Sequence, residues 1–124
     1  MVEIVEFLHA SLLIANLKTA RGFYEGVLGL SPNPQRPAMS FDGVWYDIGS
    51  QQIHLMALPN PDNGVARPEH GGRDHHIALG VKNFAALREA LEHAGVIYTL
   101  SRSGRNALFC RDPDGNALEF VEIS

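Results

Sequence analysis

Apolar positions switch period along this chain in an order that occurs twice. From residue 7 to residue 14 the sequence "FLHASLLI" puts Leu8, Ala10, Leu12 and Ile14 on one face of a strand. Phe7, His9, Ser11 and Leu13 fall on the other. The period then lengthens: Leu17, Ala20, Phe23, Tyr24 and Val27 recur at three- and four-residue steps, the stripe of an amphipathic helix. The same change occurs from residue 74. There His75, Ile77, Leu79 and Val81 share one strand face and Asp74, His76, Ala78 and Gly80 the opposite one. Phe84, Leu87, Ala90, Leu91 and Ala94 then follow with helical spacing.

The ends of the two helices carry matching signals. Asn16 and Asn83 stand where an N-cap is needed, and Gly29 and Gly95 where a left-handed residue closes the last turn. Aligning His9 with His76 aligns the asparagines as well, seven residues on in each copy. Further strands follow: "VWYDIG" and "QIHLMAL" in the first copy, and "VIYTL", "NALFCRD" and "ALEFVEI" in the second. "DPDG" at 112–115 is a strong turn signal and "GSQ" at 49–51 a weaker one. The pattern predicts two βαβββ modules, with the second strand of the first copy in "SPNPQRPAMSFDG". Module one spans about 1–58 and module two about 74–124; the stretch 59–73, rich in Pro, Gly, Asn and Asp, reads as a linker. The two modules are expected to make one α+β domain over 1–124.

Strand parity sorts the polar residues. Ile53, Leu55 and Ala57 take the helix side of their strand, leaving Gln52, His54 and Met56 opposite. In the last strand Leu118 and Phe120 oppose Ala117, Glu119 and Val121. His9, His54, His76 and Glu119 therefore all fall on the small or mixed face. The adjacent His75 begins the apolar face and is expected to be structural or a hydrogen-bond donor behind the site. Three imidazoles and a carboxylate suit a divalent metal such as Zn, Ni, Co, Mn or Fe. A strand histidine by itself is more often a hydrogen-bonded core residue. The repeat is what gives this set weight, because it pairs His9 with His76 and His54 with Glu119.

Composition narrows the rest. The 124 residues are 45% apolar and 19% charged, with a formal net charge of −4. That is a soluble globular mix with no basic run, so neither nucleic acid nor a membrane is an expected partner. "MVEIVEFLHA" has no basic region to open a signal peptide, and the single cysteine, Cys110, cannot form an internal disulfide. Both suit a cytoplasmic location. Cys110 reads as a small buried hydrophobe and "DPDG" as a turn. Arg36, Arg67, Arg73, Arg102 and Arg105 lie in or beside loops that could rim a cup, with Arg73 best placed for an anionic substrate group. Trp45 and Met56 are candidate apolar contacts for a substrate.

"FLHASLLIANLKTARGFYEGVLGL", "HIALGVKN" and above all "CRDPDGNALEF" resemble the vicinal oxygen chelate superfamily, which includes glyoxalase I, bleomycin-resistance proteins and extradiol dioxygenases. The resemblance covers almost the whole chain. It implies paired βαβββ modules forming a U-shaped, cupped mixed sheet with helices on the convex side. It also implies one divalent metal, with His9, His54, His76 and Glu119 at the ligand positions. The expected activity is metal-dependent lyase, isomerase or dioxygenase chemistry on a small molecule with adjacent oxygens, stabilising an enolate or oxyanion, with Glu119 as ligand and base. A glyoxalase I would usually have glutamate where this chain has His54. The alternative implied function is a metal-free binding protein that sequesters a small molecule, as bleomycin-resistance relatives do. A homodimer is expected, with modules side by side or exchanged.

Overall fold

The computed structural model describes all 124 residues. Strand β1 (His9–Ile14) leads into helix α1 (Leu17–Arg21), which widens into π-helical turns over Gly22–Val27. Strands β2 (Gly43–Ile48) and β3 (Gln51–Ala57) follow as a hairpin. A long connection containing one 3₁₀ turn (Gly71–Arg73) reaches β4 (His76–Val81) and helix α2 (Phe84–His93). Strands β5 (Tyr98–Leu100), β6 (Ala107–Arg111) and β7 (Ala117–Glu122) complete the chain.

The expected caps form. The Asn16 side chain accepts from the Thr19 N–H at 2.9 Å, and the Asn83 side chain accepts from the Ala86 N–H at 3.2 Å. Gly29 and Gly95 close their helices at φ +76° and +71°, a conformation that costs glycine nothing and a side chain about 1 kcal/mol or more.

Two open, curled sheets result. The first has the order β1-β3-β2 and the second β4-β7-β6-β5. In each, the first strand of the half runs parallel to the last, β1 beside β3 and β4 beside β7, while the neighbours on the far side are antiparallel. This is the α+β architecture expected from the repeat. One expected strand is reduced: in "SPNPQRPAMSFDG" the only ladder contact is a single bridge from Pro32 to Tyr46. Pro32, Pro34 and Pro37 have no N–H to donate, so the segment cannot sustain a ladder. No helix is long and apolar enough to cross a membrane.

The core lies on the helix side of both sheets as one cluster that includes Tyr24 and Phe23 from the first helix, Leu87 and Leu91 from α2, and Leu108, Leu118 and Phe120 from the second sheet. At its centre the Tyr24 hydroxyl, on a side chain with no exposed area, donates to Asp112 Oδ2 at 2.7 Å. Asp112 is itself buried. It also accepts from the backbone N–H groups of Asp114 and Asn116 and from the Asn116 amide. Burial raises the Asp112 pKa, with those donated bonds opposing the shift; burial, then the Asp112 charge, raises that of Tyr24. The expectation that "DPDG" is only a turn is therefore incomplete. Its Asp114 carboxylate accepts from the Ala15 N–H at 2.8 Å, and the Asn116 amide donates to the Leu13 carbonyl at 3.1 Å. The turn ties the end of β1 to the second sheet.

A second tie secures the long connection. Arg111 Nη1 bonds Asp74 Oδ2 at 2.8 Å and the Gly115 carbonyl at 2.7 Å, while Nη2 donates to the Pro68 carbonyl at 2.6 Å. The Arg111 hydrogen bond is the main cause holding the Asp74 carboxyl below its ordinary pKa.

Two outcomes are expected. Tyr24→Phe leaves a buried carboxylate one donor short and lowers stability by about 1–3 kcal/mol in urea denaturation, with the secondary structure retained. Because Asp74 has a depressed folded pKa, its stabilisation is complete above its unfolded value of about 3.9 and is lost as pH falls through the folded value. Asp74→Asn should remove that part of the acid sensitivity in denaturation curves taken between about pH 5 and pH 2. An unchanged acid profile would mean that other carboxylates carry it.

Candidate metal centre

Register decides which polar side chains meet. In the parallel pair β1–β3, Ser11 lies opposite His54 and His9 opposite Gln52, so all four share the face turned away from the core. His9 and His54 stack there with ring centroids 4.0 Å apart. Trp45, opposite His54 on β2, covers the other side of the His54 ring at 4.2 Å and 6°. His54 is thus held between two rings. Its Nε2 lies 2.8 Å from Gln52 Oε1, and the Gln52 amide is oriented by donating to Asp47 Oδ1 at 2.8 Å. A carboxylate can only accept, so the Gln52 amide nitrogen faces Asp47 and its oxygen faces His54. His54 accordingly carries its proton on Nε2 and its lone pair on Nδ1. Burial, then the neighbouring His9 and Arg36, lowers the His54 pKa and favours the neutral ring.

The second pair forms by the same logic on β4 and β7. Ala78 lies opposite Glu119, and His76 is on the same face two residues earlier. His76 Nδ1 is 2.9 Å from the Asp74 carbonyl, which can only accept, so Nδ1 carries a proton. Nε2 then faces Glu119 Oε1 at 3.3 Å. When His76 is neutral, a lone pair stands beside a carboxylate oxygen. Adjacent ligands of one ion with bonds near 2.1 Å are about 3.0–3.4 Å apart, so this spacing fits a divalent metal. Glu119 is 5% exposed, and its other oxygen, Oε2, accepts from Arg105 Nη2 at 3.0 Å. The buried Phe109 ring, opposite Glu119 on β6, meets the His76 ring edge-on at 5.2 Å.

The four residues singled out by parity all lie on the coreless face, but they come together as two pairs. No three of them form one cluster within the chain. A groove of about 370 Å³ lies between the unpaired edges of β1 and β4, and His76 is the one residue of the four that lines it. Phe7, Ala10 and Gln52 line one side and His76, Ala78 and Leu79 the other. The donor chemistry fits a metal in both pairs, and completing a set of four requires the pairs to be brought together.

The remaining candidates fall in different places. Met56 is half-buried on the His54 face, one position beyond it in that alternation. Arg73 is exposed on its 3₁₀ turn. His75 is exposed and bonded only through its backbone N–H, to Asp74 Oδ1, so its ring neither joins the apolar face nor backs the site as expected, and His76 is the member of the doublet that faces Glu119. Cys110 is buried, which pushes its thiol pKa up to about 12 and leaves it unreactive. Two residues bear on the site in ways the sequence did not indicate. The role of Gln52 emerges only from the Asp47–Gln52–His54 chain. Arg105, one of five loop arginines, is distinguished only by the β6–β7 register that carries Glu119 beneath its hairpin.

Comparison with known proteins agrees with the fold and the motifs. Curated relatives include a protein named lactoylglutathione lyase from Haemophilus influenzae, 32% identical over 95% of this chain and 93% of its own. Another is named Glyoxylase I 4, from Arabidopsis thaliana, at 28% identity over 90% of this chain and 67% of its own. Among solved structures, a glyoxalase family protein from Bacillus anthracis aligns with a TM-score of 0.76 at 23% identity over 98% of both chains. A fosfomycin resistance protein from Listeria monocytogenes, solved with Mn(II) and a dihydroxypropylphosphonic acid, aligns at 0.73 and 15% identity over 98% of this chain and 95% of its own. The model of the Glyoxalase/Bleomycin resistance protein/Dioxygenase superfamily matches residues 6–120, and the chain belongs to that superfamily.

Proposed function

We propose that the protein is a metal-dependent enzyme acting on a small molecule with two neighbouring oxygens. One divalent metal would be held by His9, His54, His76 and Glu119. The observation that carries this reading is the approach of His76 Nε2 to Glu119 Oε1 at 3.3 Å on a coreless face, with the other imidazole nitrogen already committed to the Asp74 carbonyl.

A divalent metal bound there supplies a Lewis acid that stabilises negative charge on adjacent substrate oxygens. The chain's own residues do the rest. Glu119 Oε1, the oxygen Arg105 does not hold, would serve both as ligand and as base, taking a substrate proton only when it is not bound to the metal. Trp45 and Met56 give the site an apolar wall, and Arg73 offers a positive charge at the rim. The relative named lactoylglutathione lyase, at 32% identity, supports a lyase or isomerase over a dioxygenase. The partner this reading calls for is a second copy of the chain. Val2, Ile4, Val5, Phe7 and Leu8 are all exposed immediately before His9, an apolar-rich segment interrupted by Glu3 and Glu6.

Elemental analysis of the reconstituted protein should find about one transition metal per chain, lost in both His76→Ala and Glu119→Ala. Absence of metal from the wild type would overturn the enzymatic reading and leave a small-molecule binding protein. Mixing His9→Ala with Glu119→Ala chains then locates the set. Closure between two copies restores one site in each mixed dimer, about one per four chains on random pairing, whereas closure within one chain leaves the mixture without metal.

A further inference from the structure

The two oxygens of Glu119 face different partners. Oε1 lies beside His76 Nε2, while Oε2 is taken by Arg105 at 3.0 Å. Arg105 comes from the hairpin "SRSGRN" between β5 and β6, fourteen residues from Glu119 in sequence. That hairpin is organised around Ser103. Its hydroxyl pairs with Ser101 Oγ at 2.8 Å and accepts from Arg105 Nε at 3.3 Å and from the Arg105 backbone N–H at 3.4 Å. The guanidinium is therefore held by one hydroxyl and aimed at one carboxylate oxygen, although its side chain is 58% exposed.

A carboxylate buried as fully as Glu119 needs fixed compensation for its charge. His76 reaches only Oε1, through Nε2 at 3.3 Å, and leaves Oε2 to another partner. Arg105 is always protonated and donates from a rigid plane. We propose that Arg105 is a positioning residue for the metal centre. By occupying Oε2 it holds Glu119 in one rotamer, and it presents Oε1 alone, beside His76 Nε2, as a one-oxygen ligand. This rests on the metal-dependent reading above and adds a residue to it. Partners that orient a ligating group from behind are typically worth about 10–100-fold in metal affinity.

The test is the affinity of the full-length protein for Mn(II), read by calorimetry and by the free-ion resonance signal. The wild type is compared with Arg105→Ala, Arg105→Lys and Arg102→Ala. Arg102 lies on the same hairpin and carries the same charge without a bond to Glu119. Arg105→Ala should weaken Mn(II) binding by about tenfold. Arg105→Lys, which keeps the charge but not the fixed plane, should recover only part of the loss, and Arg102→Ala should bind as the wild type does. Native circular dichroism and metal-free melting temperatures well above the assay temperature for every variant separate this from a folding defect, because loss of the Arg105 bond to the buried Glu119 lowers stability as well. Equal or tighter binding by Arg105→Ala overturns the proposal, because the arginine would then be a bystander or a competitor of the cation. Equal weakening by Arg102→Ala also overturns it, in favour of the hairpin's net charge. Failure of the wild type itself to bind Mn(II) overturns the parent reading, and this inference with it.

Discussion

The hydrogen bond from Tyr24 to Asp112 is the constraint on which the arrangement of the two halves depends. Both groups are buried, one on the helix of the first half and the other at the β6–β7 turn of the second. Without the other, each would be a desolvated polar group costing several kcal/mol or less according to its surroundings. Together they fix how the first helix lies against the second sheet. The same aspartate organises its turn through two backbone N–H groups and the Asn116 amide, and that amide reaches back to the Leu13 carbonyl. One carboxylate thus sets the local turn and the relation between the halves.

From that frame follows the separation of tasks between the two sheet faces. The helix side is filled by Tyr24, Tyr46, Leu91, Leu108 and Leu118, among others, so the chemistry is left to the opposite face. There the parallel pairing of the first and last strand of each half brings residues distant in sequence to within ring or hydrogen-bond contact. His9 meets His54 in one half and His76 meets Glu119 in the other. The same operation performed twice yields two pairs of donors instead of one scattered set.

Each pair is supported from behind by polar residues of its own half. Asp47 orients Gln52, which assigns the proton on His54. Arg111 holds Asp74, whose carbonyl assigns the proton on His76, and Arg105 holds the far oxygen of Glu119. These contacts determine where lone pairs point. A binding or catalytic site depends on that at least as much as on which residue types are present.

Much of this was legible in the sequence because it is periodic. The strand-to-helix change of period, the caps Asn16 and Asn83 and the glycines closing each helix are local properties, and they specified the repeat and the face of each strand. The placement of His9, His54, His76 and Glu119 on the coreless face followed from parity alone. The loss of a strand around Pro32 was also foreshadowed by composition, since proline cannot donate to a ladder, but alignment with the second half argued for a strand there. Only the tertiary structure decided what register controls: which histidine stacks on Trp45, which oxygen of Glu119 faces His76, and that Arg105 among five loop arginines reaches the site. It also decided that Asp112 is a buried junction as well as a turn residue. Parity reports the side of a sheet a residue occupies, whereas contact depends on strand order and hairpin position, which are set by packing across the whole core.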